Sequence, residues 1–126
     1  MPVVYPNAVK IARMAAVVAQ AGTTAVLEIG TAGMASVLAT INLGNPIAGA
    51  ATGAGVLTLS GFPRSDTAAD ATGTAAAARI RTATGGTDII TGLTVGLSAA
   101  DVILDSLSIT AGQNVTINSA VFTHAA

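Results

Sequence analysis

"NAVKIARMAAVVAQAGTTAVLEIG" runs from Asn7 to Gly30, and its hydrophobic period changes partway along. Up to Gly22, the residues Val9, Ile11, Met14, Ala15 and Val18 fall near helical spacing and make one broad apolar face. Lys10, Arg13 and Gln20 lie outside that face. Pro6 and Asn7 supply a start signal, with Asn7 as candidate N-cap, and Gly22 supplies a stop. After Gly22 the period is two. Val26 and Glu28 share one side of an extended segment, and Leu27 and Ile29 share the other. The stretch therefore predicts one helix handing over to strands, with an arm and helix over residues 1–22 and a β-domain over 23–126.

The alternation continues along the chain. "SVLATINLG" (Ser36–Gly44) puts Val37, Ala39, Ile41 and Leu43 on one face. "GVLTLSGF" (Gly55–Phe62), "AAAARIRTA" (Ala75–Ala83), "TDIITGLTVG" (Thr87–Gly96), "DVILDSLSIT" (Asp101–Thr110) and "QNVTINSAVFTH" (Gln113–His124) read as further strands. Gly85-Gly86 marks a hairpin turn. In the segment before that turn, Arg79 and Arg81 share one face and Ile80 takes the other. "GNPIAGAATGAG" (Gly44–Gly55) reads as a partly exposed low-complexity loop. Short strands separated by Gly-rich turns predict an all-β fold, a sandwich or barrel.

Composition narrows the function classes. The chain has 126 residues, enough for one domain with its own core, and no cysteine, so disulfide frameworks and thiolate metal sites are excluded. Only 9% of residues are charged and the net charge is -1, which leaves no basic patch for nucleic acid. Aromatic residues are 2% of the chain, too few for base stacking. The apolar run Val9–Ala21 is broken by Lys10, Arg13 and Gln20 and falls short of the ~20 residues a membrane span needs. "MAAVVAQAG" is short and lacks leucine, so the N-terminus reads as intact rather than as a signal peptide. A mean hydropathy of +0.71 predicts that part of the surface is hidden in an assembly.

The chemistry-bearing residues are few. "GFPRSDTAADATGTAAAARIRT" (Gly61–Thr82) gathers Arg64, Asp66, Asp70, Arg79 and Arg81. Asp66 and Asp70 with interleaved threonines lack the ligand density of a calcium loop, so the segment reads as a polar connection whose charges pair locally or with a neighbouring subunit. His124 is the only histidine and has no nucleophile elbow to serve. Glu28 reads as a polar-face or interface residue rather than a general acid. Asp101 and Asp105 read as a turn residue and an outward strand residue. No glycine-rich stretch matches a phosphate cradle. Asn114 begins an "NVT" glycosylation pattern that reads as accidental. No catalytic, cofactor or metal residue is assigned.

Several stretches together carry a resemblance. They are "ARMAAVVAQAG", "LEIGTAG", "VLATINLGNPIAGAATGAGVLTLSG", "DTAADATGTAAAARIRTATGG" and "GLSAADVILDSLSITAGQNVTINSAVFTH". The chain resembles a family of small virion proteins of tailed bacteriophages and prophages. The resemblance implies a jelly-roll-like antiparallel β-sandwich preceded by one N-terminal α-helix. It also implies a structural, non-enzymatic role as a decoration or cement protein on the capsid exterior. The expected partners are the major capsid protein and further copies of the chain, as dimers or trimers, with no nucleic acid, membrane or small-molecule substrate and no cofactor. A tail or head–tail connector component is the alternative, followed by a carbohydrate-binding or hydrolytic sandwich, for which Tyr5, Phe62 and Phe122 are the only aromatic residues. The candidate contacts are the arm residues Pro2, Val3, Val4 and Tyr5, the loop residues Pro46 and Ile47, and the arginines Arg64, Arg79 and Arg81.

Overall fold

In a computed structural model, residues 5–43, 47–49, 51–53 and 55–123 are described. The helix α1 spans Asn7–Ala21. Its N-cap is Pro6 rather than Asn7, and the Pro6 carbonyl accepts from the Val9 and Lys10 amides without a side-chain cap. Gly22 ends the helix at φ 70, a conformation that favours glycine. The inward stripe is Ile11, Met14, Val17, Val18 and Ala21, at spacings of three and four. Val9 and Ala15, expected on the apolar face, are exposed instead.

The strands are β1 (Val26–Gly30), β2 (Val37–Asn42), β3 (Val56–Thr58), β4 (Arg64–Asp66), β5 (Gly73–Thr74), β6 (Ala77–Arg81), β7 (Asp88–Leu93), β8 (Val95–Gly96), β9 (Val102–Leu104), β10 (Ser108–Ile109) and β11 (Val115–Thr123). One four-stranded sheet has the order β2-β1-β6-β7 and is antiparallel throughout. A second sheet runs β3-β11-β9-β8, with β4 also on β11. β5 and β10 form a small separate ladder. The fold is an all-β sandwich with one N-terminal helix. It departs from a purely antiparallel arrangement at one place, where β8 pairs with β9 in parallel across the short connection 97–101.

β11 organises the second sheet. β3 pairs with Val121–Thr123 and β4 with Val115–Ile117, so the two lie end to end along one edge of β11. β9 takes the other edge, with a register shift between Ile117 and Ser119. The core between the sheets is one cluster. Leu27, Ile29, Leu38, Ile41 and Ile80 come from the first sheet, and Leu57, Leu104, Val102, Val115 and Ile117 from the second. Met14 of α1 closes one side of it. Alanine is unusual in strands, yet Ala39, Ala78 and Ala120 are fully or almost fully buried here, which suits closely approaching layers.

The Gly85-Gly86 hairpin forms as the sequence predicts, with Gly86 N donating to Ala83 O and Thr82 N to Thr87 O. The described residues of the 44–55 loop are partly exposed, as expected, with Gly49, Thr52 and Gly53 outside, but Ile47 is not among the exposed ones. Ile47 is fully buried, because Ala48 bridges to Leu59 and Ser60 N donates to Ile47 O, drawing the segment against the end of β3.

Candidate functional site

The Gly61–Thr82 segment contains two short strands, β4 and β5, before it enters β6. Its first charges gather at β2, an edge strand of the first sheet. The outward backbone groups of β2 recur at Leu38, Thr40 and Asn42, since Leu43 N already donates inward to Ala25 O. All three positions are covered. Asp70 N donates to Leu38 O at 2.7 Å. Asp66 Oδ2 accepts from Thr40 N at 3.0 Å. Arg64 Nη1 donates to Asn42 O at 3.3 Å. Asp70 Oδ2 also accepts from Thr40 Oγ1 at 3.3 Å. An unpaired sheet edge is a template for another chain, and inward-turned charges are one way to block it. The charged cluster is therefore a cap on β2.

Each capping side chain is held from behind. Asp66 Oδ1 accepts from Ala68 N at 3.0 Å, closing a small turn. Arg64 donates through Nε and Nη2 to Ser60 O at 3.3 and 3.2 Å, and its guanidinium lies 5.7 Å from the Phe62 ring centroid. Gly61 has φ +79, and a Cβ there would run into Arg64 Nη2. A polar cleft of about 530 Å³ opens between Thr40, Asn42, Arg64 and Asp66, but its charged groups are already engaged.

The later charges lie on the outer face of the first sheet. Arg79 Nε donates to Glu28 Oε1 at 2.6 Å, and Arg81 Nη1 lies 4.0 Å from the same oxygen. Arg81 Nε in turn lies 2.8 Å from Asp88 Oδ1. The β1–β6 register places Glu28 opposite Arg79, with Arg81 two residues along on the same face. Glu28 is 4% exposed, the one buried charged or polar residue of the described core. Glu28 thus lies on the polar face the sequence predicts, and there neighbouring arginine side chains bury its carboxylate within the chain. Arg79 and Arg81 share one face of a strand, as the alternation predicts, but as candidate contacts they are mostly covered, with side chains only 20% and 22% exposed.

The remaining candidates divide. Tyr5 has the Arg13 guanidinium 4.6 Å from its ring centroid. Ile47 is withdrawn as an exposed contact, being in the core. Pro2, Val3, Val4, Pro46 and His124 lie outside the described residues. Asp101, read as a turn residue, is more than that: its Oδ2 accepts from Thr94 N at 3.0 Å and Thr94 Oγ1 at 3.1 Å, while Asp101 N donates back to Thr94 Oγ1 at 2.9 Å. The seven-residue separation of Thr94 and Asp101 was visible in the sequence, but nothing there marked them as partners. Among the described residues, no group of three or more His, Asp or Glu side chains is placed to hold a metal ion. No helix of the described residues is long and apolar enough to cross a membrane.

The exterior that remains is weakly charged. Ala8, Val9, Ala12, Ala15, Ala16 and Ala19 are exposed along α1, and Leu97 is exposed on the β8–β9 connection. Compared with protein families, curated proteins and solved structures, the chain matches none.

Proposed function

We propose that this protein is a structural component of a tailed-bacteriophage virion, a decoration protein that binds across major capsid protein subunits on the head exterior and associates with its own copies as a dimer or trimer. The observation that carries this reading is how the charges are used. Glu28, Asp66, Asp70, Asp88 and Asp101 are each engaged by partners within the chain, as are Arg64, Arg79 and Arg81. The outer surface keeps a few charges, Arg13 and Asp105 among them, within a field of alanine, threonine and scattered aliphatic residues, suited to adhesion through many weak contacts repeated over a shell. No chemical step is proposed. The sugar-binding alternative is disfavoured by the aromatics: Phe122 is buried, Phe62 packs on the core beneath Arg64, and Tyr5 lies against Arg13.

Cryo-electron microscopy of purified particles tests the proposal. Density for this sandwich at repeated positions over the icosahedral shell is the expected result. Density confined to the tail or its junction with the head would replace decoration by the tail or connector role. A chain missing from the particle would overturn the virion reading.

A further inference from the structure

The Glu28–Arg79 ion pair uses only part of the arginine. Arg79 commits its Nε to Glu28 Oε1 at 2.6 Å. Among the described residues, neither Nη of Arg79 has a hydrogen-bond partner. A guanidinium is a planar fork of N–H donors, so its terminal donors stay available here. The fork is also fixed in place. Glu28 is buried behind it, and Arg81 Nη1 lies 4.0 Å from the same carboxylate oxygen. A buried carboxylate that holds an arginine by Nε preorganises the two Nη groups for an incoming anion.

Arg79 borders a cleft. The cleft has a volume of about 590 Å³ and lies between β6, β7 and the Ala32–Met34 turn, with walls of Met34, Ala77, Leu93 and Val95. Among the described residues, Arg79 is the one charged residue that lines it. Glu28 and Asp88, the carboxylates that balance the two arginines, lie outside the lining. Ala77 faces the same side of β6 as Arg79, opposite Gly30. Glycine at that position lets Met34 lie on the sheet, since a Cβ there would stand 2.8 Å from Met34 Cε. The volume falls within the range of small-molecule sites, which combine apolar walls with a few convergent polar groups. A cation in the wall selects an anion, and the apolar walls select a short hydrocarbon tail. A planar fork fits a carboxylate through two parallel hydrogen bonds. We propose that this cleft binds a small monocarboxylate with a short apolar tail, its oxygens on the Arg79 Nη groups and its tail along Met34, Leu93 and Val95. The site goes beyond the virion reading and does not rest on it.

Titration of the purified, nitrogen-labelled full chain with sodium hexanoate, followed by proton–nitrogen correlation spectra, tests it. Saturable shifts are expected at the Arg79 Nε–H and at the Gly92 and Val95 amides, which border the cleft. Hexanol, with the same tail and no charge, should bind about tenfold or more weakly. R79K keeps a positive charge against Glu28 but replaces the fork by a single ammonium, and should weaken hexanoate binding about tenfold. A76W fills the cleft from an exposed position without touching the ion pair. It should abolish the shifts while leaving the thermal midpoint in place. The absence of saturable shifts with hexanoate overturns the proposal. So does hexanol binding as tightly as hexanoate, or hexanoate binding that R79K or A76W leaves unchanged. A peptide ending in a free leucine carboxylate that binds about tenfold more tightly than hexanoate overturns the small-molecule occupant in favour of a protein C-terminus. Particle binding is decided separately, by density on the virion.

Discussion

Replacing Arg79 by methionine isolates the buried carboxylate of Glu28. The methionine keeps much of the aliphatic stem's packing and removes the Nε donor that lies 2.6 Å from Glu28 Oε1. Breaking a buried pair from one side costs about 3–5 kcal/mol, because the remaining charge is left desolvated. Two features soften that here. Arg79's side chain keeps 20% of its exposure, so water has a path in, and Arg81 Nη1 remains 4.0 Å from the same oxygen. R79M is therefore expected near the low end, a loss of about 3 kcal/mol. For a chain of this length that corresponds to a melting temperature lower by roughly 10 °C. The chain has no tryptophan and one tyrosine, so urea unfolding is best followed by far-ultraviolet circular dichroism. The double variant E28L/R79M removes both charges and should return to within about 1 kcal/mol of wild type, as an apolar pair of similar size replaces the ionic one. An R79M loss below about 1 kcal/mol, or a double variant no more stable than R79M, would refute the view that the carboxylate depends on its covering arginine.

Two further outcomes follow from the other charge clusters. D66A removes the acceptor of both Thr40 N and Ala68 N, which should cost about 1–2 kcal/mol and open the edge of β2. D66A should then aggregate faster by light scattering than R79M at equal fraction unfolded, and equal rates would count against the cap. D101A releases the clamp on Thr94 and should speed amide exchange at Thr94 and Val102 by about tenfold or more, equivalent to about 1.4 kcal/mol of local opening. Unchanged exchange at those amides would show that the connection is held by something other than Asp101.

The strands and the helix were legible because they depend on local period and on glycine. Gly22 ended the helix and Gly85-Gly86 turned the hairpin where the sequence placed them. The charged side chains were not legible in the same way. Asp66 finds Thr40 across 26 positions, and Arg79 finds Glu28 across 51. No spacing rule along the chain encodes such pairings. Ile47 was misplaced for a related reason: its neighbours in sequence are loop-like, but the backbone bridge between Ala48 and Leu59 decides its burial. The split of Asp101–Thr110 into β9 and β10 likewise depends on two different partners, β11 and β5.

The place of β11 in the chain has a consequence for the order of events at the ribosome. The first sheet has all its strands once Leu93 has emerged, but β3 and β4 have no partner until residues 115–123 appear. Until then β4 lacks its strand partner, and Asp66 and Arg64 are held against β2 only by residues of their own neighbourhood. The nascent chain thus passes through an interval with a formed sheet and a loosely held edge. Pairing across such long separations is slow, and it is the stage at which a growing polypeptide is most exposed to misassociation. Ribosome-bound chains halted before Val115 should be the most susceptible to proteases and chaperone capture, and chains released after Thr123 the least.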